Sequence, residues 1–254
     1  MKRGSIAALT LLLLCSGPIR GEQKALYRAS GADAGLFDQY DNDGYSLAVT
    51  ATAEGALELA VRVSDAPLGS SAPFPTGAPL DPTLTAAPER DAYARRLAEG
   101  SRTESDAVRR VLLSLAGQIT YDPDRLRRQD PTAVFSSRRA YCVGYAELAV
   151  DLLRRLKISA RTVQGILVCG PGHDGFDARV GGAYHRWIEI YYPDRGNVFS
   201  DPSASVNGVD ARYIPFGRRS LMKPRSLAIA PVSASGELGY QSVSAGSATV
   251  RVRE

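Results

Sequence analysis

The stretch Arg139-Ala-Tyr-Cys-Val-Gly-Tyr-Ala-Glu-Leu constrains this chain most. Cys142 opens an apolar-periodic run in which Ala146, Ala149, Val150, Leu153 and Leu156 share one helical face, with arginines off it. A thiol in the first turn of such a helix meets unpaired backbone N–H groups and the positive end of the helix dipole. Both favour the thiolate, the nucleophilic form of cysteine. A lone cysteine is more often a buried structural residue, so the decision rests on what the rest of the chain brings to it.

With 254 residues, 44% apolar and 23% charged, the chain is ordinary globular material for one or two packed domains. Its formal charge is +4, but Lys2, Arg3 and Arg20 lie in an expected signal peptide; without them 28 basic residues face 27 acidic ones. A nearly neutral mature chain lacks the concentrated basic surface of a nucleic-acid binder. Residues 1–21 have signal anatomy: a charged start and an apolar stretch from Ile6 to Leu14, with cleavage expected after Gly21 because Pro18 disfavours cutting after Gly17. The apolar stretch is too short for a transmembrane helix. Leu12-Leu-Leu-Cys15 is similar to a lipoprotein box, although Leu14 fits it poorly, so export to the periplasm or outside is expected, with a lipid anchor as the minor alternative. The mature chain keeps Cys142 and Cys169. A disulfide between them would silence the proposed nucleophile, so both are expected to be free thiols.

Residues 22–66 read as a small β unit. Tyr45, Leu47 and Val49, then Leu57, Leu59, Val61 and Val63, alternate around Glu54-Gly55 as a hairpin does. Asp41-Asn-Asp-Gly44 has the composition of a calcium loop but the wrong register for one, and reads as a turn. Residues 67–88 are rich in proline and are expected to be a linker. A core over 89–230 follows. It holds a helix to about Glu99, then a second helix capped by Thr103 with Asp106 and buried through Val108, Val111, Leu112, Leu115 and Ile119. After the Cys142 helix come β-like runs at Arg161–Val168, Ala183–Tyr192 and Asn197–Ser200, with a glycine-rich, mobile loop expected over 169–182. Residues 231–254 form a tail whose Ala248–Arg253 alternation suits an edge strand. Helices first and antiparallel strands after predict an α+β fold.

Only two histidines exist. His173, in Gly-Pro-Gly-His-Asp-Gly, reads as an exposed loop residue. His185 sits inside a strong strand, and Asp201 begins Asp-Pro-Ser on the next. Antiparallel strands joined by the Asp194–Gly196 turn bring His185 and Asp201 side by side. A thiol needs an imidazole within hydrogen-bond reach, and the imidazole needs a third group to orient it.

These residues resemble the transglutaminase-like superfamily. The resemblance is carried by the Cys142 motif, by Leu-Leu-Arg-Arg-Leu-Lys-Ile-Ser-Ala-Arg-Thr-Val-Gln-Gly, by His185-Arg-Trp-Ile-Glu-Ile-Tyr-Tyr-Pro, and by Asp201-Pro-Ser sixteen residues after the histidine. It covers about residues 90–215. It implies a papain-like core with a helix-borne cysteine facing an antiparallel sheet, Cys142 as nucleophile, His185 as base and acid, Asp201 as orienting carboxylate, and Trp187 and Glu189 as packing and support. Many members carry Gly-Trp where this chain has Gly196-Asn197, and Asp-Pro-Thr is commoner than Asp-Pro-Ser.

The expected chemistry is acyl transfer or hydrolysis at protein or peptide amides, without cofactor or metal. Two histidines and two cysteines without paired spacing make no zinc signature. The competing expectation is a non-catalytic binding module on the same fold, since folds are reused without their chemistry.

Overall fold

A computed structural model describes residues 21–64, 69–74, 86–204, 206–218, 224 and 226–236. The expected signal segment up to Arg20, part of the proline-rich segment and the 248–253 alternation lie outside these described residues.

The chain begins with β1 (Gln23–Ser30), β2 (Tyr40–Asn42), β3 (Tyr45–Ala51) and β4 (Leu57–Val63). Helices α1 (Pro88–Ala98) and α2 (Glu104–Gln118) follow, then β5 (Thr120–Tyr121), α3 (Pro131–Ser137), β6 (Arg139–Ala140) and α4 (Cys142–Arg155). The remainder is β7 (Ala160–Val168), β8 (Phe176–Asp177), β9 (Gly182–Tyr192), β10 (Gly196–Ser200), β11 (Tyr213–Pro215) and β12 (Ala228–Ser235). The arrangement is α+β. One antiparallel sheet runs β12-β1-β4-β3-β2, and a second runs β10-β9-β7-β11 with β8 on β9.

The second sheet is covered on both faces. Successive side chains of a strand point to opposite sides, and β9 uses both. Ile188, Ile190 and Tyr192 join the helical core with α1, α2 and α4. Trp187, with Phe199 of β10 and Val163 of β7, packs against Tyr27, Tyr45 and Leu59 of the N-terminal sheet. The result is three layers: helices, sheet, sheet. Tyrosine hydroxyls of the N-terminal sheet donate to backbone carbonyls across this second interface: Tyr27 to Ala211 at 3.0 Å, Tyr45 to Tyr213 at 2.6 Å and Tyr40 to Phe216 at 2.9 Å. The hairpin of β3 and β4 follows the alternation read from the sequence, with Tyr45, Leu47, Leu57, Leu59, Val61 and Val63 all buried. The edge strand beside β1 is β12, where Ile229 is buried, as is Leu227 just ahead of the strand.

The Thr103–Asp106 capping box forms in both directions. Helix α4 is buried more widely than one stripe: Ala146, Leu148, Ala149, Leu152 and Leu153 are all fully covered, because three helices and a sheet surround it. Its arginines are not all outside. Arg155 is buried and paired with Asp91 of α1 and with Asp151 one turn back, and Arg90 of α1 donates to the same Asp151 at 2.9 Å. The ion network fastens α1 to the helix that begins at Cys142.

Candidate active site

Cys142 is the first residue of α4, and Tyr141 before it is extended, so the chain enters the helix through a sharp change of direction. No side chain caps that turn. The segment ahead of the cysteine is held instead from outside. β6 pairs in parallel with β5, Asp122 N–H donates to Ala140 O at 2.8 Å, and Gln129 Oε1 accepts the Tyr141 N–H at 3.2 Å. Gly144 leaves the space that Gln129 needs: a Cβ there would lie 2.4 Å from Gln129 Oε1 and 2.8 Å from Val134 Cγ2. The glycine of Cys-Val-Gly-Tyr is thus a packing requirement of the turn that presents the thiol.

His185 and Asp201 lie side by side as the strand pairing requires. β9 and β10 are antiparallel with Ser200 opposite Ile188, and Asp201 follows directly. His185 Nε2 donates to Asp201 Oδ2 at 2.6 Å. Asp201 is buried and also accepts from Tyr213 OH at 2.8 Å, Ser203 N–H at 2.8 Å and Ser203 OH at 2.6 Å. The serine of Asp-Pro-Ser therefore closes a local turn on the carboxylate; a threonine hydroxyl occupies the same place. Burial raises the cost of the Asp201 charge, but the charge and hydrogen bond of His185 and the Ser203 donors outweigh it, so the carboxyl is held below its ordinary range. For His185, burial disfavours the imidazolium, while Asp201 and then the hydrogen-bonded Cys142 favour it; the balance lifts the ring to about 10.

The imidazole is boxed by aromatic rings. Trp187 stacks on it at 6.1 Å between centroids and Tyr213 meets it edge-on at 5.7 Å. With Nε2 committed to Asp201, Nδ1 is the nitrogen left for the Cys142 thiol. The raised ring has a consequence for stability. A free histidine loses its proton near pH 6.5. The folded chain holds more protons than the unfolded chain between there and about 10. The stabilisation is complete below the lower value and fades as pH rises to the upper one. The stability advantage of the wild type over His185→Gln, read from urea midpoints, should shrink steadily across that window.

Cys142 and His185 line one cleft of about 240 Å³, together with Tyr121, Arg125, Tyr141, Gln164 and His173 among others. The sequence reading of His173 as an exposed loop residue is corrected here. Its ring is half-buried in the cleft wall, Nδ1 donates to Asp174 O at 2.7 Å, and burial lowers its pKa. The 169–182 segment folds against the cleft through β8 and through Tyr121 OH, which donates to Asp174 Oδ2 at 2.8 Å. A fold that wraps a glycine-rich segment over a cleft is invisible to local pattern. Tyr213 and Gln164 escaped notice for the same reason. The side-chain amide of Gln164 has no protein partner among the described residues. Trp187 is fully buried in the inter-sheet core, and Glu189 accepts from Asn42 at 2.9 Å and pairs with Arg161. Asn197, at the position where the resemblance expects tryptophan, uses its carbonyl to accept the Asp43 N–H of the N-terminal unit at 2.9 Å. Both Cys142 and Cys169 are free thiols. Among the described residues no cluster of three metal-ligating side chains exists, and no helix is long and apolar enough to cross a membrane.

A cysteine on a helix N-terminus, facing a histidine and an aspartate on adjacent antiparallel strands, defines a class of papain-like architecture. Residues 91–202 match the family model of the transglutaminase-like superfamily. Two solved structures align at low identity. One, from Cytophaga hutchinsonii and provisionally named a cysteine protease, is 13% identical over 85% of this chain and 88% of its own, with a TM-score of 0.43. The other, the periplasmic domain of TgpA from Pseudomonas aeruginosa, is 16% identical over 74% of this chain and 88% of its own, with a TM-score of 0.40. No curated protein matches the sequence.

Proposed function

We propose that this chain is a cysteine enzyme that transfers or hydrolyses acyl groups at protein or peptide amides, with Cys142 as nucleophile, His185 as acid and base, and Asp201 as the orienting carboxylate. The observation that carries this reading is that Cys142 and His185 line one cleft, with the His185 ring hydrogen-bonded to the buried Asp201 at 2.6 Å.

The geometry supports the following cycle. Asp201, fixed by four donors, accepts the hydrogen bond from Nε2–H and so keeps Nδ1 toward the sulfur. The sulfur of Cys142 attacks the amide carbonyl and an S–C bond forms. The charge developing on oxygen is met by the unpaired backbone N–H of Cys142, with the Gln164 amide as a second donor from across the cleft. His185 gives its proton to the leaving nitrogen, the C–N bond breaks, and a thioester remains. The now neutral His185 takes a proton from an incoming water or amine, whose attack releases the acyl group and restores the sulfur. Water gives peptidase or amidase activity and an amine gives cross-linking. In this reading residues 1–21 direct export, residues 22–66 are a supporting β unit joined by the 67–88 segment, and the catalytic core spans 89–230.

The two thiols provide the test. Burial pushes Cys169 up to about 11, so it reacts as a thiol at neutral pH. Iodoacetamide should therefore alkylate Cys142 roughly 100-fold faster than Cys169, and His185→Ala should slow the Cys142 rate alone, as followed by peptide mass spectrometry. Equal rates, indifferent to the histidine change, would assign the fold to binding.

A further inference from the structure

We infer that the acyl portion of the substrate carries a carboxylate beside the scissile carbonyl, an acidic side chain that Arg125 receives. This rests on the reading of Cys142 as the nucleophile. Two guanidinium groups line the cleft, those of Arg125 and Arg186. Arg186 is committed to Glu147 at 2.6 Å. The neighbouring arginines are committed too: Arg127 of the same loop and Arg139 of β6 both donate to the buried Asp122 at 2.9 Å, and Arg128 pairs with Asp130 at 3.0 Å. Arg125 alone among these has no carboxylate partner among the described residues. Asp174, the carboxylate that lines the cleft, accepts from Tyr121 OH at 2.8 Å and makes no ion pair with Arg125.

The guanidinium of Arg125 is also placed. It lies 5.9 Å from the centroid of the Tyr141 ring, over the residue that precedes the nucleophile. On its other side it runs against Gly175: a Cβ there would lie 2.3 Å from Arg125 Nη2, and the glycine has φ +75°. Any other residue at 175 would be strained and would displace the guanidinium. Arg125 therefore spans the mouth of the cleft from the Tyr141 wall to the 169–182 segment.

Its side of the cleft fixes which half of the substrate it meets. The leaving nitrogen must reach His185, which protonates it. The leaving group therefore lies over the histidine, and the acyl half extends toward Tyr141 and Arg125. A planar fork of donors facing an acyl residue suits a carboxylate in bidentate fashion. Recognition of a lysine side chain there would place like charges together.

The experiment uses two peptidyl acyloxymethyl ketones, identical except for glutamate or glutamine next to the reactive carbon, with Cys142 alkylation followed by intact mass. The glutamate probe should react roughly five- to tenfold faster, a charge-assisted hydrogen bond discounted for solvent exposure. Arg125→Gln should remove that preference, bringing the ratio of the two probe rates to about one, and Arg125→Lys should keep part of it. Equal rates for both probes in the wild type, with Cys142 still labelled well ahead of Cys169, would overturn the carboxylate site and leave the catalytic reading standing. Failure of both probes to label Cys142 faster than Cys169 would overturn the catalytic reading, and this inference with it.

Discussion

Asp201→Asn is expected to lower kcat/KM by about 10,000-fold, the scale seen when the carboxylate of a hydrolytic triad is replaced by its amide. Oδ2 of Asp201 accepts from two donors at once, His185 Nε2–H and Tyr213 OH. An amide oriented so that its oxygen keeps the two Ser203 bonds turns its NH₂ toward both. His185 then satisfies the amide by presenting an unprotonated Nε2, and its proton moves to Nδ1, facing the sulfur. In that tautomer the ring cannot take the thiol proton, and the imidazolium loses its counter-charge. The structure also says why asparagine is the better probe than alanine. Alanine would strip partners from Tyr213 and Ser203 inside a buried site and confuse catalysis with folding. The measurement is kcat/KM with any amide substrate the enzyme turns over, beside a thermal melt. A melt close to wild type with activity lost assigns the carboxylate to chemistry; a collapsed melt assigns it to structure.

The second large effect concerns stability. Asp151→Ala should cost about 3–5 kcal/mol, because it leaves Arg90 without a carboxylate and Arg155 with Asp91 alone in the interior. Arg155 donates to both oxygens of Asp151, at 2.8 and 2.9 Å, and its side chain is only 2% exposed. For a chain of this size that loss lowers the melting temperature by roughly 6–20 °C. A surface pair gives the contrast: Lys24 and Glu22 are about half exposed, and breaking their 2.8 Å contact should cost under about 1 kcal/mol. Calorimetry of the three variants, Asp151→Ala, Lys24→Ala and the joint replacement of Asp151 and Arg155 by leucine and methionine, separates the cases. The joint replacement should recover only part of the loss: an apolar pair can replace the buried ion pair, but Arg90 and Asp91 lose their partners.

The sequence by itself determined the local devices. Period and alternation placed α2, α4, the β3–β4 hairpin and the β9–β10 pair, because these depend on which face of one element is apolar. Cys142, His185 and Asp201 were legible because each sits at a marked position: a helix start, a strand interior, and an Asp-Pro that ends a strand. Only the tertiary structure decided what surrounds them. The N-terminal unit reads as an independent hairpin, yet its tyrosines anchor the backbone carbonyls of residues 211, 213 and 216, and so hold Tyr213 against Asp201. Arg155 reads as a surface residue of an amphipathic helix and is buried, because α1 brings Asp91 to it. His173, Gln164 and Arg125 carry no local mark and meet at the cleft only because two loops and strand β7 converge there. Periodicity reports the preference of one element for one face. Contacts between residues a hundred positions apart are set by how the layers stack, and no window along the chain contains that information.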